Sequence, residues 1–141
     1  VVHMSEIPPA VVQVEAHPYH TQTALKTYLK TLGTVIMAWY PLGHGDRRLI
    51  SEPLFAALGA KYGKSPAQII LRWHIQAGHI IIPGSKNPSH IAENIDLFDF
   101  FLAEDEMASV AALNQNTPYY TATKESLEGY LRFSPDFDAQ K

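Results

Sequence analysis

Residues 80–94 read I-I-I-P-G-S-K-N-P-S-H-I-A-E-N, and this stretch decides how the chain folds. The run Ile80-Ile81-Ile82 is short, β-branched and stopped at once by Pro83 and Gly84, which predicts a strand buried on both faces. A polar turn follows. Asn87 is placed to cap a helix whose first position is Pro88, where the missing N–H would have had no intrahelical partner. The strand thus delivers the chain to a helix N-terminus, whose free N–H groups and dipole favour an anion. A phosphate site fits this arrangement, and so does the ordinary strand-to-helix turn of any α/β domain.

Working outward, Ser65-Pro66 carries both cap and first-turn signals for the preceding helix, which brings Ile69, Ile70, Leu71, Trp73 and Ile75 inward until Gly78. Another helix covers about 53–62 and ends at Gly63. Before it, T-V-I-M-A-W-Y over 34–40 reads as a strand stopped by Pro41, followed by the glycine-containing loop Leu42-Gly43-His44-Gly45-Asp46. Earlier still, A-V-V-Q-V-E over 10–15 is a β-branched strand of the buried parallel kind, in which Gln13 is an unusual polar interruption. Thr21 is placed to cap a helix with an apolar stripe of Ala24, Leu25, Tyr28, Leu29 and Leu32, closed by Gly33. Downstream of residue 94 the helix runs to about Leu97, a last strong helix covers about 104–113, and a polar and aromatic tail turns helical near 124–131.

The order is β, α, β, α, α, β, α, α and a tail, which implies a parallel sheet with right-handed crossovers. Three parallel strands leave two unpaired edges, whereas such sheets are normally covered on both faces and closed or extended by further strands. Residues 1–6, V-V-H-M-S-E, look like the tail of a helix with no helix before it. The expectation is a single unit over 1–141 that was cut from something longer.

Composition narrows the function. A hydrophobic content of 46% over 141 residues supports one ordinary core. A net charge of −3 without a Lys/Arg-rich run argues against nucleic-acid partners. No apolar stretch approaches the ~20 residues of a membrane span. Zero cysteines exclude disulfides and thiolate metal sites, and with no leader visible the cytoplasm is the default compartment. Glu15, His17 and His20 cluster at a strand end, yet no second carboxylate or histidine group completes a recognisable metal set.

Four stretches in this order and spacing, P-A-V-V-Q-V-E-A-H-P-Y, A-W-Y-P-L-G, S-P-A-Q-I-I-L-R-W and I-P-G-S-K-N-P-S-H-I-A-E-N, resemble the C-terminal half of an aldo-keto reductase. The resemblance covers about 7–114. It implies a partial (β/α)8 TIM barrel, consisting of the last three parallel β/α units plus a C-terminal tail, with the site at the C-terminal strand ends. That family's catalytic tyrosine, lysine, aspartate and histidine belong to the first four strands and their loops, so no catalytic residue is assigned.

The resemblance also implies half of a nicotinamide-nucleotide site, for NADP with NAD possible. Gln13 matches the glutamine that bonds the nicotinamide carboxamide, and Trp39 takes the place of the tyrosine that stacks on the ring. The loop Pro41 to Asp46, with Leu42 and Gly43 in it, resembles the one that folds over the pyrophosphate, where glycines permit close backbone approach. Ser85 matches a residue near the ribose 2′-phosphate, and Glu93 with Asn94 matches the pair that reads the adenine amine. Two departures weaken the phosphate pocket, because the family's lysine is Gly84 and its arginine is His90. Lys86 lies close enough in sequence to compensate.

The expected parent activity is reduction of small aldehydes or ketones by NAD(P)H, with the isolated chain inactive. The competing expectation is a non-catalytic barrel portion that binds nucleotide weakly or packs against another chain. Self-association through exposed barrel faces follows from the incomplete sheet.

Overall fold

The computed structural model describes residues 6–134, so the helix tail expected at the N-terminus lies outside the described residues except for Glu6. The strands are β1 (Val11–Glu15), β2 (Val35–Trp39) and β3 (Ile80–Ile81), all parallel and adjacent in that order. The helix α1 (Thr23–Lys30) joins β1 to β2, and α2 (Arg47–Ile50), α3 (Pro53–Tyr62) and α4 (Pro66–Gln76) lead to β3. After β3 come α5 (Pro88–Ile95), α6 (Glu104–Ala111) and α7 (Lys124–Arg132). This is the order expected of an arc of parallel β/α units.

The register explains which residues face where. Val14 lies opposite Ala38, and Ala38 opposite Ile81. Because side chains alternate along a strand, Val12, Val14, Ile36, Ala38 and Ile81 share one face and pack with Leu25, Leu29 and Leu32 of the α1 segment. The other face carries Gln13 opposite Met37, Met37 opposite Ile80, and Glu15 opposite Trp39. There Val11, Val35 and Ile80 stay 37–38% exposed, and Ile82 just beyond is 62% exposed. The expectation that the Ile80–Ile82 strand is buried on both faces is therefore corrected. An apolar run shows what could be buried, and in this arc the helices cover the opposite face.

The larger core lies among the helices, where Phe55 and Leu58 of α3 meet Ile69, Ile70 and Trp73 of α4, with Leu102 and Val110 behind them. Each such burial stabilises by about 1.5–3 kcal/mol before ordering costs. Glu106 ties α6 to α3, accepting from Lys61 Nζ at 2.6 Å and from the Tyr62 hydroxyl while its own capping position holds the Ala103 N–H at 2.7 Å.

Local signals set most helix ends. Ser65 and Gln68 form a capping box on α4, and the Asn87 side chain accepts from Ser89 N at 3.0 Å to start α5. The start of α1 differs from expectation. Its N-cap is Gln22, left-handed at φ 55°, and the Thr21 hydroxyl pairs instead with the Thr23 hydroxyl at 2.8 Å. Tertiary contacts decide this, since Gln22 Nε2 donates to the Glu15 carbonyl at 2.8 Å and bonds the His20 ring. Of the expected α1 stripe, Leu29 is buried while Ala24 and Tyr28 face outward. The short α2 was not expected. Asp46 caps it by accepting from Arg48 N at 2.9 Å.

Candidate functional site

Two cavities at the C-terminal ends of the strands, of about 320 and 290 Å³, meet at Leu42 and Gly84, which line both. Gln13, Trp39, Tyr40, His44, Gly45 and Ile82 line the first. Ser65, Ala67, Ser85, His90, Glu93 and Asn94 line the second. The two adjoin along that shared lining, and we treat them together as a groove of the size that takes a small organic ligand.

The strand register places Gln13 and Trp39 on the same face of the sheet, and the Gln13 carboxamide makes no hydrogen bond among the described residues. Trp39 is stacked on Tyr40 with centroids 4.0 Å apart and planes 22° apart, and Tyr40 in turn lies 4.0 Å from the His44 ring. Tyr40 and His44 both adopt left-handed backbone, at φ 55° and 52°, so this three-ring ladder is a product of the turn after β2. One face of Trp39 is thus covered by Tyr40, and the Tyr120 ring meets the indole edge-on at 5.5 Å, while the side chain still lines the first cavity.

In the second cavity, Ser85 Oγ accepts from Asn87 N at 3.0 Å, which fixes the oxygen and leaves the hydroxyl proton free to donate. It stands at the N-terminus of α5, where the dipole favours negative charge. Glu93 accepts from the Ser65 hydroxyl at 3.1 Å, and Asn94 makes no hydrogen bond among the described residues. Among the described residues no Lys or Arg lines this cavity, and Glu93 and His90 are its titratable side chains. Lys86 is exposed and lines neither cavity.

Gly43 belongs behind the groove. A Cβ there would come within 2.7 Å of Leu49 Cδ2 and 3.2 Å of the Tyr119 hydroxyl. Its φ of 76° and the crowding of its own chain account for glycine at this position, while Gly45 is the loop glycine that lines the groove.

Glu15 and His17 are buried beside the groove. The His17 Nε2–H donates to Glu15 Oε1 at 2.9 Å, and His17 Nδ1 is buried with no partner among the described residues. Burial raises the Glu15 carboxyl, but the Tyr119 N–H, His17 and the Tyr120 N–H outweigh it and hold the group below the ordinary carboxylate value. Burial also pushes the His17 imidazole down, with Glu15 partly opposing. Glu15 thus holds His17 and the backbone of Tyr119 and Tyr120. Asp46 sits at about 2, held down first by its hydrogen bonds to the Arg48 side chain. It also accepts from the Tyr119 hydroxyl at 2.9 Å.

Of the residues singled out in the sequence, the groove brings together Gln13, Trp39, Leu42, Ser85, His90, Glu93 and Asn94. His44 and Gly45 lie in the loop 41–46 that the resemblance set over the pyrophosphate, whereas Tyr40 and Ser65 were not singled out for the site. The consecutive aromatics at 39–40 were a visible signal, but the left-handed turn that stacks His44 on them was not.

A parallel β/α arc with its groove at the C-terminal strand ends defines a partial barrel of the (β/α)8 class. The Aldo/keto reductase family model matches residues 1–115, and the chain belongs to that family. It is 43% identical over 127 residues to aldo-keto reductase family 1 member A1 of Mus musculus, covering 84% of this chain and 39% of that protein. An aldo-keto reductase of Mycolicibacterium smegmatis is 45% identical over 107 residues, covering 76% of this chain and 38% of the other. The chain thus spans about two-fifths of the length of these relatives. Among solved structures, a Bombyx mori aldo-keto reductase in complex with NADP matches with a TM-score of 0.79 at 38% identity, covering 85% of this chain and 42% of that one. Gox0644 in its apoform matches with a TM-score of 0.80 at 34% identity, covering 86% and 44%.

Proposed function

We propose that the groove holds a nicotinamide dinucleotide, NADP(H) with NAD(H) also accepted, as the cofactor half of an oxidoreductase that interconverts small carbonyl compounds and alcohols. The observation that carries this reading is that the two cavities share Leu42 and Gly84 in their linings. That shared lining joins a free carboxamide and an indole at one end to a hydroxyl at a helix N-terminus and a free amide at the other. The relatives' complex with NADP agrees with it.

When bound, the nucleotide supplies a hydride. The residues of this chain bind and orient it. Gln13 offers both donor and acceptor to a carboxamide, and the indole of Trp39 offers a flat surface to a pyridine ring. Gly84, whose Cβ would meet nothing within 4 Å, lets a phosphate pass close to the backbone between the two cavities. Ser85 and the α5 N-terminus receive negative charge, and Asn94 receives the base. Reduction of a carbonyl also needs a proton donor, and we assign none to this chain, so turnover requires complementary residues of a complete barrel.

Fluorescence in a Trp73→Phe background, which leaves Trp39 as the reporter, tests the reading. NADPH should quench Trp39 saturably, and Gln13→Leu should weaken that binding. No quenching at millimolar nucleotide would sink the proposal.

A further inference from the structure

We propose that Glu15 is a positioning residue for this groove, seating the segment Tyr119-Tyr120 so that the segment holds both the loop 41–46 and the ring of Trp39. The functional half of this inference rests on the nucleotide reading; the mechanical half does not.

Glu15 ends β1, lies opposite Trp39 and is only 7% exposed. Burying a carboxylate is costly unless it is fully hydrogen-bonded. Here both oxygens are used. Oε1 takes the Tyr119 N–H and the His17 ring, and Oε2 takes the Tyr120 N–H at 3.0 Å. The two N–H groups belong to consecutive residues of an irregular segment more than a hundred positions away, which has no sheet or helix to satisfy them.

From that anchor the two side chains go separate ways. The Tyr119 ring packs 4.6 Å from His17 and its hydroxyl reaches Asp46 at 2.9 Å, behind Gly43. Asp46 is also the cap of α2, so this bond ties the far end of the groove loop to the tail segment. The Tyr120 ring meets Trp39 edge-on at 5.5 Å and 69°, while Tyr40 covers Trp39 by stacking. One buried carboxylate therefore sets the loop through Tyr119 and the indole through Tyr120. A residue that merely stapled the tail for stability would not couple these two.

The test uses the chain with Trp73→Phe and two variants. Glu15→Gln keeps the shape but opposes an amide NH₂ to a backbone N–H, and Tyr119→Phe removes only the link to Asp46. Without nucleotide, Glu15→Gln should at least double acrylamide quenching of Trp39 as Tyr120 leaves, and Tyr119→Phe should leave it unchanged. With NADPH, Glu15→Gln should speed dissociation by about tenfold, the scale of one lost charge-assisted hydrogen bond. Tyr119→Phe should speed it by a smaller factor, and the double variant should match Glu15→Gln alone. Unchanged quenching in Glu15→Gln, or effects that multiply in the double variant, would overturn the proposal. If the parent binds no NADPH, the nucleotide reading fails while the quenching comparison still decides the clamp. If Glu15→Gln does not fold, Tyr119→Phe decides it: dissociation as slow as in the parent would refute the link.

Discussion

Gly84 is the position where one added charge should do most to the groove. It lines both cavities, a Cβ there meets nothing within 4 Å, and its φ is outside the left-handed region. Gly84→Lys is therefore free of backbone strain. It brings a permanent cation to a cavity that has none among the described residues, next to the Ser85 hydroxyl. A charge-assisted hydrogen bond to a 2′-phosphate is worth about 1.5–3 kcal/mol. The groove is open to water and the lysine must be ordered, which together remove about 1 kcal/mol or more. The remainder, about 0.5–1.5 kcal/mol, corresponds to roughly a threefold to tenfold gain. NADPH should tighten by that factor while NADH, which lacks the 2′-phosphate, changes by less than about twofold. Trp39 quenching gives both dissociation constants, and raising the salt should shrink the gain. Equal tightening of both nucleotides, or none of either, would show that Gly84 does not border the 2′-phosphate.

The buried pair His74 and His79 should make the fold acid-sensitive. His74 Nε2–H donates to the Pro41 carbonyl at 3.2 Å and the two Nδ1 atoms lie 3.0 Å apart, so both rings are neutral, with burial as the first cause of values near 3 and 4. Folded values depressed below the ordinary ~6.5 mean that the unfolded chain binds more protons, so stability is full above that value and falls by up to about 1.4 kcal/mol per pH unit per ring as pH drops from 6.5 towards 4. Urea unfolding across that range reads the slope, and a flat profile would contradict neutral rings. Gly43→Ala should destabilise by about 1–3 kcal/mol through clash and backbone strain, and Gly45→Ala, with open space but φ 80°, by about 1 kcal/mol; equal losses in thermal melts would refute the packing role of Gly43. The exposed apolar residues Val11, Val35, Ile80 and Ile82 should drive association, so light scattering should show an average mass that rises with concentration and falls in Ile82→Glu, and a monodisperse parent would count against it.

What was legible in the sequence was what local chemistry decides. Pro83-Gly84, Pro41 and Gly63 stop their elements wherever they occur, and Ser65 and Asn87 cap helices through their own side chains. The parallel order followed from alternation. Long-range contacts were not legible. Gln22 displaced Thr21 as the α1 cap because its amide reaches Glu15 and His20. Gly43 reads as a loop glycine, yet Leu49 and Tyr119 crowd it. The carboxylate of Glu15 reads as the end of a strand, and its partners lie at Tyr119 and Tyr120. The open face of β3 was missed because an apolar pattern records the capacity for burial and not the presence of a covering layer.

The central claim is that one nucleotide spans the groove from Gln13 to Asn94, and a chemical-shift map of the labelled chain tests it directly. On titration with NADPH, the side-chain amides of Gln13 and Asn94, the Trp39 indole N–H and the backbone N–H groups of Gly84 and Ser85 should shift together along one binding curve. Shifts confined to one cavity, separate curves for the two ends, or no shift at these positions while others move would contradict it.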